Sequence, residues 1–445
     1  MKFISSLAIL FVCLLGEAQD ISENYDLAKC LQYAAGNSPL KRQHYLAEQR
    51  REMLVQLEKS KNLPQIRAYA NYSYYFELPT TIFPQSEGMI LSSGDSEGPY
   101  PIRLGQPHNL FAGARVSQTL FDKRWLSTND FEQLRSQISL LSEQAVDEEM
   151  IEKVAVGYFD LQKLRSKSQL IQSRISSLTS ILQILQLQAD EQVINRVEVD
   201  KVRLALARLE AENTRLNGGI RSNESRLKIL MGMPADKNID FSSDEDNLEL
   251  AFQNEAKDNS VQLDLLDKQQ QLGELSENTV ASGYFPKVRA FADFQFQAQR
   301  NSLNFLSDER WFPNHLFGVG INVPIFTGFE KRTKIQQEGV KVEEIKLNRE
   351  LAESRNQVAY ENSLNNLETG RLLMENSHEQ KELAVTIFEQ VNLQYQQGVA
   401  SLQDLLSAEI EQAEANNLYE EAKFDYKLAQ ISHLKSTNRL RALLQ

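Results

Sequence analysis

The sequence predicts a mainly α-helical protein with a small membrane β-barrel. Each chain supplies two long helical hairpins and four short strands, laid out as an internal duplication. Three observations predict this. The segment Leu-Pro-Gln-Ile-Arg-Ala-Tyr-Ala-Asn-Tyr at 63–72 returns as Phe-Pro-Lys-Val-Arg-Ala-Phe-Ala-Asp-Phe at 285–294, an offset of 222 that also aligns Asn37-Ser38 with Asn259-Ser260. Four segments of about ten residues alternate apolar and polar side chains. Two tracts of roughly a hundred residues, 122–217 and 331–445, contain no proline. A repeat of half the chain is too long for a solenoid unit, so the duplication divides the chain into 19–233 and 234–445.

The chain opens with Lys2, an apolar run from Phe3 to Leu15, and Gly16-Glu17-Ala18. This reads as a secretory signal peptide covering residues 1–18. Val12 is not the small residue expected before a lipidated cysteine, which argues against lipidation at Cys13. Cleavage would leave Cys30 alone, with no internal disulfide. The net charge of −13 counts against a nucleic-acid partner. No later stretch is apolar enough for a transmembrane helix, so an exported chain of this kind is either soluble or a membrane β-barrel.

The first strand is expected at 66–76. Ile66, Ala68, Ala70 and Tyr72 share one face, and Arg67, Tyr69 and Asn71 the other. The third places Val288, Ala290, Ala292, Phe294 and Phe296 opposite Arg289, Asp293, Gln295 and Gln297. The second and fourth, near 110–121 and 315–326, align at an offset of 205, with Ala112, Ala114 and Val116 answering Phe317, Val319 and Ile321. Gly113, Arg115 and Ser117 on their polar face answer Gly318, Gly320 and Asn322. A soluble two-sided sheet alternates in the same way, so alternation alone does not decide.

The helices decide. Leu164, Ile171, Leu178 and Leu185 recur every seven residues, which is coiled-coil spacing on otherwise polar helices. A helix over residues 123–191 runs about 100 Å. Each tract pauses once, at Val193-Ile194-Asn195-Arg196 and at Gly398-Val399-Ala400-Ser401. Four strands cannot close a barrel, and open edges are not tolerated in lipid, so the chain must oligomerise. Between Phe76 and Leu110 lie five prolines, which predicts an irregular surface loop over 77–109.

Several marks resemble the TolC-like outer-membrane efflux proteins. Leu63-Pro64 and Phe285-Pro286 open strands, and Gln118-Thr119-Leu120-Phe121-Asp122 and Val323-Pro324-Ile325-Phe326-Thr327-Gly328 close them. Leu230-Met231-Gly232-Met233-Pro234 is similar to the close of that family's first half, and the stretch from Tyr395 to Leu406 to its tip motif. The resemblance implies a homotrimer with a twelve-stranded barrel and an α-helical tunnel in the periplasm. It implies the passive exit duct of a tripartite efflux or type I secretion system, carrying small molecules or ions out of the periplasm, with a periplasmic adaptor, an inner-membrane transporter and outer-membrane lipid as partners. It implies neither catalytic site nor cofactor.

The resemblance also assigns residues. Gly398, Val399, Ala400 and Ser401 match an adaptor-docking turn, and Val193, Ile194, Asn195 and Arg196 its counterpart, where Gln192 replaces the usual glycine. Asp404 matches an acid of the periplasmic gate, with Glu198 as its first-half equivalent; both also suit the positive end of a helix. Ser407 stands where some members carry a second acid. Arg67, Asn71, Arg115, Arg289 and Asp293 are expected to face the barrel lumen, as salt-bridge partners or as selectivity residues. The five histidines lack ligand spacing, so no metal is expected, and no nucleophile–base pair points to an enzyme. A periplasmic adaptor or a structural coiled coil is the alternative, against which the four strands count.

Overall fold

The computed structural model describes residues 23–83, 100–242, 260–306 and 308–444. The expected signal peptide and Cys13 lie outside them. The main elements are β1 (Glu23–Tyr25), α1 (Leu27–Asn37), α2 (Pro39–Ser60), β2 (Gln65–Tyr74), β3 (Thr80–Phe83), β4 (Tyr100–Arg103) and β5 (His108–Phe121). Then come α3 (Thr128–Asp190), α4 (Arg196–Met231), β6 (Ile239–Phe241), α5 (Val261–Ala281), β7 (Lys287–Arg300), β8 (Phe312–Asn322), α6 (Glu330–Gln396) and α7 (Leu402–Ser436). The chain divides into two structural units, each built from segments of both halves of the sequence.

The first unit comprises described residues within 47–139 and 266–349. It holds an antiparallel sheet in the order β2-β5-β7-β8. The two repeats meet at its centre, where β5 pairs with β7, and β2 and β8 are left as edges. Register puts Ala68, Ala114, Phe294 and His315 in one row and Arg67, Arg115, Asp293 and Leu316 in the next. Because side chains alternate across a strand, the predicted apolar and polar faces both form. The apolar face is uncovered in one chain: Ile66, Phe317 and Ile321 are 72%, 77% and 68% exposed.

Two strand ends border a proline. Proline has no N–H to give the ladder, so β8 stops at Asn322, before Pro324, and β7 starts at Lys287, after Pro286. The expected irregular loop over 77–109 is corrected in part. Thr80–Phe83 and Tyr100–Arg103 pair as a ribbon, with Thr81 opposite Ile102 and Ile82 opposite Pro101. A two-stranded ribbon consists only of edges, where proline is tolerated. The long helix also starts later than expected: Asp122 caps a 3-10 turn over Lys123–Ser127, and α3 begins at Thr128.

The second unit comprises described residues within 1–46, 140–265 and 350–445. Its larger core buries Met150, Ile151, Val154, Tyr158 and Leu161 of α3 against Cys30 and Leu31 of α1, Met231 of α4 and Ile431 of α7. Burial pushes the Cys30 thiol up to about 12, so it is inert at neutral pH. The parallel pair β1–β6 closes one side of this core. Arg165 Nη1 donates to the Phe241 carbonyl at 2.6 Å and to Asp240 at 2.8 Å, while Gln162 Nε2 donates to the Ser242 carbonyl at 2.9 Å. A second cluster is the predicted heptad seam: Ile171, Leu178 and Leu185 of α3 pack on Val199, Val202 and Leu209 of α4.

Candidate functional site

The two hairpin turns have the same backbone. At the end of α3, Gln192 N–H donates to the Ala189 carbonyl at 3.1 Å and Val193 N–H to Gln188 at 2.8 Å. At the end of α6, Gly398 N–H donates to Tyr395 at 3.0 Å and Val399 N–H to Gln394 at 2.9 Å. These are the paired bonds of a Schellman cap. The cap needs a left-handed residue after the helix, and Gly398 supplies it at φ 73° without steric cost. Gln192 adopts φ 63° at the same place. The departure from glycine therefore leaves the turn geometry intact.

Beyond the caps, side chains repeat their roles. Val193 and Val399 point to solvent, 71% and 75% exposed. Ile194 turns inward and packs on the heptad seam, and Ala400 is half-buried. Asn195 then caps α4 by accepting from Val197 N–H at 3.0 Å. Ser401 caps α7 in a reciprocal capping box with Asp404. Arg196, read from the sequence as part of the turn, is the first residue of α4.

The two acids differ in their commitments. Asp404 Oδ2 accepts from Ser401 Oγ at 2.6 Å and from Ser401 N–H at 2.9 Å. These bonds hold its carboxyl below the usual carboxylate range. Glu198 pairs with Lys201 at 2.9 Å. Sequence reasoning missed Glu409, 4% exposed, which takes Arg174 of α3 in a fork at 2.9 and 3.1 Å. Its signal was position: Leu405 and Ala408 mark the buried face of α7, and an acid on that face needs a partner.

On the sheet, the register brings three of the expected lumen residues together. Asp293, only 2% exposed, accepts from Arg115 Nε at 2.8 Å and from Tyr69 Oη at 2.7 Å. Tyr69 also reaches Gln295 at 3.2 Å. Arg67 lies directly opposite Arg115, a repulsive placement that Asp293 offsets from the other side. Tyr69 was missed, although its alternation with Arg67 and Asn71 puts it on the polar face. Asn71 opposes Phe111 and stands apart from this network, and Arg289 lies between Thr119 and Gly320. Gly318, on the polar face of β8 as its alternation predicts, makes room for the Phe291 ring: a Cβ there would come within 2.7 Å of it.

Residues 253–439 match the family model described as "Outer membrane efflux protein". Three solved structures share the fold. The outer membrane protein VceC of Vibrio cholerae is 12% identical, with 92% of this chain and 95% of that one covered at a TM-score of 0.66. The CmeC outer membrane channel of Campylobacter jejuni is 15% identical, with 93% and 85% covered at 0.70. The open-state MtrE outer membrane channel of Neisseria gonorrhoeae is 15% identical, with 92% and 88% covered at 0.66. Among curated proteins, none matches the chain in sequence. No helix among the described residues is long and apolar enough to cross a membrane. The second half of the chain thus matches the outer-membrane efflux protein family, a channel family, and the described length shares the fold of outer-membrane channels of solved structure.

Proposed function

We propose that the protein is the passive outer-membrane duct of a tripartite export system, assembled as a homotrimer. The observation that carries this is the sheet: one face apolar and uncovered, the other polar, with both edge strands open. Three copies give twelve strands and remove every edge. The long helix α6 supports the same reading, because Leu351, Leu373, Leu383 and Leu393 are more than half exposed in one chain. The duct has no energy source of its own. An inner-membrane transporter drives export, and a periplasmic adaptor joins the two.

The adaptor docks on the turns. Val193 and Val399 are exposed apolar knobs on capped, rigid backbones, flanked by Asn195, Arg196, Gly398 and Ser401; Ile194 and Ala400 hold them from behind. Glu198 and Asp404 ring the periplasmic mouth, and Arg67, Asn71, Arg115, Arg289 and Asp293 line the barrel lumen.

The assembly is tested by mass measurement in mild detergent, where a stable monomer overturns it. Val399→Asp should abolish export without lowering the amount of assembled protein. Unimpaired export in that variant removes the docking assignment. Asp404→Asn keeps an acceptor for Ser401 but removes the charge. Under the gate assignment it should weaken divalent-cation block in single-channel recordings, and unchanged block makes Asp404 a helix cap only.

A further inference from the structure

At the helix end of the sheet, the described residues line a half-open cavity of about 850 Å³. That volume is within the range of small-molecule sites, roughly 300–1,000 Å³. Its charge is opposite to that of the chain. Lys59, Lys61, Arg124, Arg135, Lys287 and Arg289 line it, against Glu58, Asp122 and Glu132. The protein as a whole carries −13.

The three carboxylates are already taken. Glu132 pairs with Lys59 at 2.8 Å and Glu58 with Lys61 at 2.6 Å. Asp122 holds Arg124 in a fork and Lys287 at 3.3 Å. Arg135 and Arg289 have no carboxylate partner among the described residues. The Arg135 guanidinium lies 5.4 Å from the centre of the Phe131 ring. Arg289 is exposed on the polar face, and its neighbour across the ladder is Gly320, which adds no side chain over it. Thr279 Oγ1 is buried with no hydrogen-bond partner among the described residues, and it lines the same cavity. The walls between these polar groups are aromatic: Trp125, Phe131 and Phe291.

We infer that this cavity is a binding site for amphiphilic organic anions, held by Arg135 and Arg289 with the ring system against Trp125 and Phe131. An aromatic or fused-ring carboxylate or sulfonate fits this chemistry. The anion meets donors that no protein acid neutralises, and its apolar body meets flat side chains that also support cation–π contacts. Because Arg289 and Phe291 belong to the polar face of the sheet, the site rests on the reading of that face as the duct lining. It would hold such solutes where they enter the barrel.

The test uses the chain's own fluorophore. The protein has two tryptophans, so Trp311→Phe leaves Trp125 alone. Titrating the assembled W311F protein with dansylate, an aromatic sulfonate, should give saturable energy transfer from Trp125. Neutral dansylamide, of nearly the same shape, should bind about tenfold more weakly, since a charge-assisted contact is worth about 1.5–3 kcal/mol and tenfold is about 1.4. Adding Arg135→Gln and Arg289→Gln should weaken dansylate by at least about that factor and leave dansylamide unchanged. Rising salt should weaken dansylate binding to W311F selectively, which decides the matter even where the double variant fails to assemble. Absence of transfer, or equal binding of the two probes, overturns the site. Mass and planar-bilayer conductance of the same preparation report separately on the duct, so failure of the site and failure of that reading are told apart.

Discussion

Gln192 and Gly398 occupy one position in two copies of the same turn, at φ 63° and 73°. One turn takes up the left-handed conformation with glutamine, the other with glycine. A left-handed non-glycine residue costs roughly 1–2 kcal/mol. Gln192→Gly should therefore stabilise the first hairpin by about 1 kcal/mol, and Gly398→Ala should destabilise the second by about the same. Chemical denaturation, or hydrogen exchange at the amides of the two caps, measures both.

The two faces of the sheet should differ in what they tolerate. Ala292 lies in the apolar row between Val116 and Phe317, and Ser117 on the polar face. Ala292→Arg should cost about 2–4 kcal/mol if the position sits at mid-bilayer, and Ser117→Arg far less. Folding titrations into vesicles compare them. Equal costs would point to a sheet in water.

Removing Asp293 should hurt more than its single charge suggests. Arg115 would lose its partner while still facing Arg67, and Tyr69 Oη would lose its acceptor. We expect Asp293→Ala to destabilise by about 2–3 kcal/mol, read as a lower thermal unfolding midpoint. Tyr69→Phe should cost about 1 kcal/mol, because the Arg115 contact survives.

Asp122 sets an acid limit. The Arg124 guanidinium beside it, helped by Lys287, lowers its carboxyl from 3.8 to about 2. A depressed carboxylate contributes stability that is present above its unfolded value and lost as pH falls through the folded one. The wild type should thus exceed Asp122→Asn by about 2 kcal/mol above pH ~4. The gap should close as pH falls toward 2. Denaturation midpoints of both proteins across that range check the sign.

Gly318 is filled from the neighbouring strand. A Cβ there meets Phe291 Cζ at 2.7 Å, so Gly318→Ala should destabilise by about 1–3 kcal/mol through overpacking. Combining it with Phe291→Leu should recover most of that loss in the same unfolding assay.

The sequence by itself determined the two hairpins, the seam from Ile171 to Leu185, the faces of the four strands and the two turns. All of these are periodic or punctuated signals. Period two fixes a strand's faces, period seven a helix seam, and the absence of proline a helix length, whatever each element packs against. The ribbon at Thr80–Phe83 escaped because five prolines read as an irregular surface loop, and prolines suit a ribbon that has only edges. Tertiary structure alone decided which side chains meet. Arg115 finds Asp293, 178 residues away, because β5 pairs with β7 in one register, and a shift of one residue would have put them on opposite faces. Glu409 finds Arg174 because α7 lies on α3, and Gln192 keeps a glycine's conformation because the cap bonds on either side hold it there. Pairings of this kind depend on long-range register and docking, which no local pattern in the chain encodes.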